Sequence, residues 1–460
     1  MANAGKMRCS TIRLFLGISR VLLVAAMLLL MPGAPAGAIP PAGAITLDDC
    51  IRAALKMNPG LEAAGHRVDA ARAAHLQARA PWYPHLVASG DYTRTDNPAQ
   101  AFMMKLNQER LDMADPGFDP TDPGSTQNMG LSLGARYLLF DWGQSRLNEQ
   151  MAKQGIEMSS LSRSARRNEL VYDVTRGYYN ALKADAFTRV YRETAESIEK
   201  SLELARNRFS EGVVLKTDVL NLEVQHARAE EDLLQAENAY RLALAALNTS
   251  IGAEIVGPGQ LTPPREDPPP FAADPNADET IDNRPELQAA ASLARTKRLE
   301  TSHARRTNLP RVTAFGSLDM DSRVSDHFEE SYTAGVKAEW ALFDGFARSG
   351  AVSEAKAQRR EAVARLKHTR KTLALDLKEA QLEASNAFHR LEVTRKALDS
   401  AAESLQMTRE QYENGVVEIT ALLRAQAAKT DSSVRNRAAW YDYRIALANI
   451  DRAAGKQWED

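Results

Sequence analysis

The chain contains itself twice, and that repetition limits its fold more than any other feature. The string Asn58-Pro59-Gly60-Leu61-Glu62-Ala63-Ala64 returns as Arg284-Pro285-Glu286-Leu287-Gln288-Ala289-Ala290, and Pro84 before Leu86 returns as Pro310 before Val312, both at an offset of 226. From Phe140-Asp141-Trp142-Gly143 against Phe343-Asp344-Gly345-Phe346 the offset is 203. It stays 203 through Phe209-Ser210-Glu211-Gly212-Val213-Val214 against Tyr412-Glu413-Asn414-Gly415-Val416-Val417, and still at Tyr240 against Tyr443. A register held so long marks one unit duplicated. The change of offset puts one long insertion in the first copy, between Pro84 and Phe140.

Prolines 258, 263, 264, 268, 269, 270 and 275 mark the join, where helix is forbidden and an extended connector is expected. Residues 39–257 therefore read as the first repeat (a helix, a β-hairpin with a long loop, a long helix pair). Residues 258–278 are the linker and 279–460 the second repeat. Ahead of these, Lys6, Arg8, Arg13 and Arg20 precede an apolar run over residues 21–31, followed by Ala34-Pro35-Ala36 and Ala36-Gly37-Ala38. Residues 1–38 are thus expected to be a secretory signal peptide, too short in its apolar part to span a bilayer. Only Cys9 and Cys50 occur, which excludes a disulfide framework or a four-thiolate metal site within one chain.

Each copy mixes two periodicities. Leu86, Ala88, Gly90 and Tyr92 alternate with Ser89, Asp91 and Thr93, and Leu131, Leu133, Ala135 and Tyr137 alternate with Ser132, Gly134 and Arg136. The second copy repeats this with Val312, Ala314, Gly316, Leu318 and Met320, then with Tyr332, Ala334, Val336, Ala338 and Trp340. Such runs of about ten residues are the length of a tilted transmembrane strand. Between residues 143 and 211, and between 346 and 414, no proline occurs and Ala, Leu, Glu, Arg and Lys dominate. These are expected to be helices of roughly 100 Å at 1.5 Å per residue, longer than a globular domain uses. The returning segment spaces Val219, Leu222, His226, Ala229, Leu233, Ala236, Tyr240, Ala243 and Leu247 as a coiled-coil seam. Gly212 and Gly415 sit where one rod must turn into the next.

Four strands leave open edges that lipid cannot satisfy, so several chains must close one barrel, eight strands from two chains or twelve from three. Lys+Arg 58 against Asp+Glu 60 leaves no excess of positive charge for nucleic acid. No His-Glu-x-x-His, Gly-x-Ser-x-Gly or Gly-x-x-x-x-Gly-Lys is present. His226 on a helical seam reads as a structural histidine, and the pairs Asp48-Asp49 and Glu230-Glu231 as solvated helix surface. Two functions remain: a transport conduit, or a non-conducting periplasmic coiled-coil scaffold or adhesin using the same rods as spacers. A scaffold has no use for four ten-residue strands with one apolar face.

The arrangement resembles the TolC family of outer membrane efflux proteins over nearly the whole chain. The matching residues are Pro84 and Pro310 before a strand, Phe140-Asp141-Trp142-Gly143 and Phe343-Asp344-Gly345 at the strand-to-helix junctions, and Gly212-Val213-Val214 and Gly415-Val416-Val417 at the hairpin tips. Leu220 and Glu223, paired with Leu423, Ala425 and Gln426, are similar to family positions after each tip. The resemblance implies an α+β membrane protein with no catalytic, metal or cofactor site. Its homotrimer would close a 12-stranded transmembrane β-barrel, four strands per chain, continued by a long periplasmic α-helical coiled-coil tunnel. The barrel would sit in outer membrane lipid, and the tips would dock on a periplasmic adaptor (membrane fusion) protein and open for an inner-membrane pump of RND or ABC type.

Gate candidates carried by the resemblance are Asp218, Tyr412, Ala421 and Arg424. Asp218 and Tyr412 match positions that latch neighbouring helices, whereas Val417 stands where a latch arginine would be. The stretch Ala421-Leu422-Leu423-Arg424 lacks the carboxylate that rings the mouth in some members. Arg424 either puts positive charge near that mouth or faces solvent or a neighbouring helix. The insertion, residues 96–127, carries Phe102-Met103-Met104, Leu106 and Leu111 amid four prolines. By the resemblance it faces the cell exterior, where it lids the pore or packs over the barrel rim; rim packing is favoured, since long loops are not functional by default.

Overall fold

The computed structural model describes residues 44–456, apart from 112–118, 120, 122–123, 265, 273–279 and 324–326. The signal segment expected at 1–38, and part of the linker, lie outside the described residues. Those described belong to one unit, Ala44–Asp460.

The first copy runs α1 (Leu47–Met57), α2 (Pro59–Ala78), β1 (His85–Thr95), α3 (Pro98–Asn107), β2 (Thr126–Phe140), α4 (Gln144–Ser210) and α5 (Lys216–Ile251). The second runs α6 (Pro285–Arg306), β3 (Arg311–Ser322), β4 (Glu329–Glu339), α7 (Ala347–Glu413) and α8 (Ile419–Ala453). The two long rods are 67 residues each, about 100 Å at the α-helical rise. Both start and stop where the sequence puts glycine: Gly143 lies in the left-handed region before α4, and Gly212 and Gly415 after α4 and α7.

The helices pair through narrow seams rather than a broad core. Val219, Leu222, Ala229, Ala236, Leu244 and Leu247 of α5 are buried, as are Leu377, Ala380, Ala384 and Ala387 of α7. Alanine in these seams lets backbones approach closely, so the contact is continuous but thin. A thicker knot forms where the first copy's α1, α4 and α5 meet, around Cys50, Ile51, Leu170, Val174, Tyr178, Leu247 and Ile251. Burial pushes the Cys50 thiol up to about 12.

The linker is more than a spacer. Tyr178 Oη donates to Thr262 O at 2.6 Å and Tyr443 Oη to Pro269 O at 2.7 Å. Trp440 Nε1 donates to Asp267 Oδ1 at 3.1 Å, and Leu261 bridges to Ile45 as a parallel β-contact. The carbonyls of Thr262 and Pro269 lie outside helix and strand, and aromatic hydroxyls of the rods satisfy them. The chain is thereby strapped across α4 and α8.

All four strands form one antiparallel sheet in the order β1-β2-β3-β4. The β2–β3 pair joins the two copies, Leu133 facing Leu318 and Ala135 facing Gly316, with a bulge between Leu138 and Phe140. Two features differ from the sequence expectation. Strand β2 begins at Thr126, because Thr126, Gln127 and Asn128 pair with Thr95, Arg94 and Thr93 although they lack apolar alternation. The insertion contains a helix, α3, started by Asn97 accepting from Ala99 and Gln100 N–H with Pro98 at its first position.

Candidate functional site: a two-faced sheet joined to two helical tips

Strand pairing aligns the alternating residues into two faces. One carries Leu86, Ala88, Gly90 and Tyr92; Met129, Leu131, Leu133, Ala135 and Tyr137; Val312, Ala314, Gly316, Leu318 and Met320; and Tyr332, Ala334, Val336 and Ala338. This face is nearly free of charge, and Tyr332 is 82% exposed and Val336 66%. So large an exposed apolar surface is intolerable in water and suits lipid. The opposite face carries Ser89, Asp91, Thr93, Asn128, Ser132, Arg136, Thr313, Ser317, Asp319, Asp321, Ser331, Thr333 and Lys337. It is acidic toward the loops (Asp91, Asp319, Asp321, Glu329) and mixed toward the helices, where Arg136, Arg311 and Lys337 stand with Glu339, the last 3.2 Å from Lys337 Nζ.

At the helix end of the sheet, each copy makes the same junction with different residues. Asp141 accepts from Gly143 N at 2.9 Å and from both N and Oγ of Ser145 at 2.6 Å, capping α4. Asp344 accepts from N and Nε of Arg348 at 3.0 and 2.7 Å, capping α7. Burial alone would raise the Asp141 carboxyl, but donation by Ser145, Gly143 and Gln144 outweighs it and holds the group below the ordinary carboxylate range. Two successive left-handed residues follow each Asp: Trp142 and Gly143, then Gly345 and Phe346. The aromatic and glycine trade places between copies, yet each aromatic packs edge-on against its neighbour, Phe140–Trp142 at 5.0 Å and Phe343–Phe346 at 5.6 Å. Trp142 Nε1 donates to Pro310 O at 2.8 Å and Trp340 Nε1 to Asn308 O at 2.9 Å. Exposed aromatic bodies with satisfied polar tips form an interfacial belt below the apolar face.

The rods turn at the far end. Gly212 N donates to Phe209 O and Val213 N to Arg208 O; Gly415 N donates to Tyr412 O and Val416 N to Gln411 O. This is the same reverse turn twice, each with glycine in the left-handed position. Val213 and Val416 project into solvent, while Val214 and Val417 are half-buried. Beneath them the two hairpins share one apolar cluster, including Leu202, Ala205, Val219, Leu222, Tyr412, Ile419 and Leu422.

The four gate candidates lie within this end but do not contact one another by hydrogen bond. Asp218 Oδ2 accepts from Leu215 N at 3.4 Å, capping α5; Ala421, its counterpart in α8, has no carboxylate to do so. Tyr412 is only 6% exposed and its Oη is buried without a hydrogen bond among the described residues. Its ring lies under the Arg208 guanidinium, 5.7 Å away, and burial raises its phenol above the ordinary value. Arg424 is exposed. Arg208 and Arg409, which sequence reasoning missed, complete the arrangement with Gln426. Arg208 Nη2 donates to Glu413 O at 2.9 Å, covering carbonyls that the end of α7 leaves open; its repeat counterpart is Gln411, so duplication gives no hint of it. Gln426 accepts from Ser197 Oγ at 3.3 Å, and Arg409 Nη2 donates to the same hydroxyl at 2.7 Å, tying α8 and α7 to α4. Among the described residues no cluster of three metal-ligating side chains occurs, and no helix is long and apolar enough to cross a membrane.

The sequence profile of the outer membrane efflux protein family matches residues 50–253 and 276–456. The chain belongs to that family. Membership places this efflux protein in the outer membrane and in a transport family rather than an enzyme family. It is 28% identical over 412 residues to outer membrane protein OprJ of Pseudomonas aeruginosa, covering 85% of this chain and 80% of that one. It is 26% identical over 394 residues to protein CyaE of Bordetella pertussis, covering 83% and 78%. Among solved structures, the outer membrane protein VceC of Vibrio cholerae shares the fold with a TM-score of 0.73 at 19% identity, over 89% of this chain and 96% of that one. The CmeC outer membrane channel of Campylobacter jejuni does so with 0.76 at 16% identity, over 93% of both.

Proposed function

We propose that this family member is the outer membrane duct of a tripartite efflux or secretion system. Three copies close a twelve-stranded barrel, β1 of one protomer pairing with β4 of the next, and the rods continue it as a periplasmic tunnel. The observation that carries this reading is the sheet itself, apolar on one face, polar on the other, with both outer strands unpaired within the chain. In a bilayer, unpaired edges cost several kcal/mol per backbone group, and ring closure removes them. The polar face then lines a water-filled lumen.

The tips, Gly212-Val213-Val214 and Gly415-Val416-Val417, present rigid turns with one bare valine each, suited to an adaptor's apolar groove. Asp218, Tyr412, Ala421 and Arg424 lie beside them, where the tunnel closes. Energy comes from an inner-membrane pump reached through the adaptor; the duct itself does no chemistry. A periplasmic scaffold would leave the apolar face in water, which disfavours that reading.

Imaging detergent-extracted protein from the membrane fraction tests it. Three-fold particles with a rod of about 100 Å are expected; monomers recovered from the soluble fraction would overturn the duct.

A further inference from the structure

We propose that helix α3 is folded inward over the polar face of the sheet and sets the width of the duct's external mouth. The inference rests on the duct reading and adds to it a size-determining element at the end opposite the tips.

The observations concern which face α3 covers. Strands β1 and β2 lead into the insertion at the end away from the helices. There Gln108, directly after α3, donates through Nε2 to Gln127 O at 2.9 Å and to Asn128 Oδ1 at 2.7 Å. Asn128 in turn donates through Nδ2 to Asp321 Oδ1 of β3. Thr95 Oγ1 donates to Gln100 Oε1 in α3 at 3.2 Å. Thr95, Asn128 and Asp321 all belong to the polar face, so α3 is fastened to that face and not to the apolar one.

Burial gives a second, independent line. At the outer end of β2 the polar-face residues Thr126 and Asn128 are buried, while the apolar-face residues Gln127 and Met129 beside them are not; Gly130 beyond them is covered by the Asp91 carboxylate. A bare sheet in a single chain exposes both faces equally, so something covers the polar one at its outer end. That cover is α3 and Gln108: Ala101 is 0% exposed and Gln108 4%.

Scale makes the cover significant. Twelve strands about 4.8 Å apart, tilted by about 40°, form a ring roughly 24 Å across between backbones. Three helices roughly 10 Å wide, touching side by side, fit a circle about 22 Å across. Three copies of α3 brought to one mouth therefore occupy most of its section. The second copy of the repeat has no such helix between β3 and β4 among its described residues, so the constriction belongs to the first copy alone. Solutes that pass the periplasmic end are sorted again by size at the exit. Met103, exposed on α3, is placed to face the remaining opening.

The test uses the full-length protein in planar bilayers. Met103→Cys adds an accessible thiol to a protein whose Cys50 is buried. A bulky thiol reagent added on the side of the loops is expected to lower its conductance by half or more and leave the parent protein unchanged. Replacing residues 98–107 by a short Gly-Ser turn is expected to raise conductance at least two-fold and to admit larger neutral polymers. Unaltered conductance after labelling Met103→Cys overturns the proposal, even where the shortened protein fails to assemble. A protein that forms no channel in any variant overturns the duct reading itself, and the mouth assignment with it.

Discussion

Arg284 Nη1 donates to the main-chain carbonyl of Ala453 at 3.2 Å, tying the start of α6 to the end of α8. Asn58 does the same for the first copy, donating to Ser250 O at 2.8 Å, and Ser250 and Ala453 are repeat equivalents. Asn58 also caps α2 by accepting from Leu61 N. Arg284 cannot accept, and its guanidinium instead joins Glu286 and Asp376, with Arg452 completing the pairing on Asp376 at 2.7 Å. One closing contact is thus kept by two unlike side chains. Arg284→Ala removes one of the two guanidinium partners of Asp376, which keeps Arg452, and is expected to cost about 2 kcal/mol. Arg284→Asn, which restores a cap, is expected to lose less. Thermal melting of the assembled protein ranks them; equal melting of Arg284→Ala and the parent would refute the tie.

Asp141 gives the protein an acid limit. Its carboxyl is held below the usual range in the folded state, so the stability it contributes is complete above the unfolded value of about 3.9 and fades as pH falls through the depressed folded one. Asp141→Ala is expected to cost about 1 kcal/mol at neutral pH. It is also expected to flatten the acid limb of the melting curve. Identical acid limbs in parent and variant would show that Asp141 carries none of it.

The two faces of the sheet predict opposite outcomes for neighbouring substitutions. Val336→Arg on the apolar face is expected to cost about 2–4 kcal/mol in the bilayer and to cut the yield of membrane-inserted oligomer. Thr333→Arg on the polar face is expected to insert normally. Heat-modifiable mobility on gels reads both, and a reversed order would mean that the faces are misassigned.

At the tips, Arg208→Ala frees the last carbonyls of α7 and uncovers Tyr412. The expected result is a several-fold rise in leak conductance without loss of assembly, because Arg208 holds the two hairpins of one protomer together. Arg208→Lys retains charge but not the paired geometry and falls between them. No change in leak would leave Arg208 a surface residue.

How much of this was legible in the residues follows their chemistry. Alternation at Leu131, Leu133 and Ala135 predicts a strand because an apolar and a polar face divide odd from even positions. Thr126 and Asn128 show no such pattern, since they lie at the polar-face end where Gln108 bonds to Asn128. The Asn97-Pro98 pair is a helix start, but ten residues among prolines are too few for periodicity to speak. Glycines 212 and 415 announce the tips, because the reverse turn requires a left-handed residue. Arg208, Arg284 and the strapped linker were not legible: each rests on a bond to a carbonyl between 84 and 205 residues away, and backbone acceptors leave no trace in sequence.

The unpaired outer edges of β1 and β4 have a genetic consequence. In the proposed three-chain ring, a chain with one damaged edge still offers a sound one, so it is recruited into a ring that it then cannot seal. Edge mutations in this protein should therefore behave as dominant, poisoning assemblies that also contain normal copies, whereas mutations that prevent export altogether should be recessive.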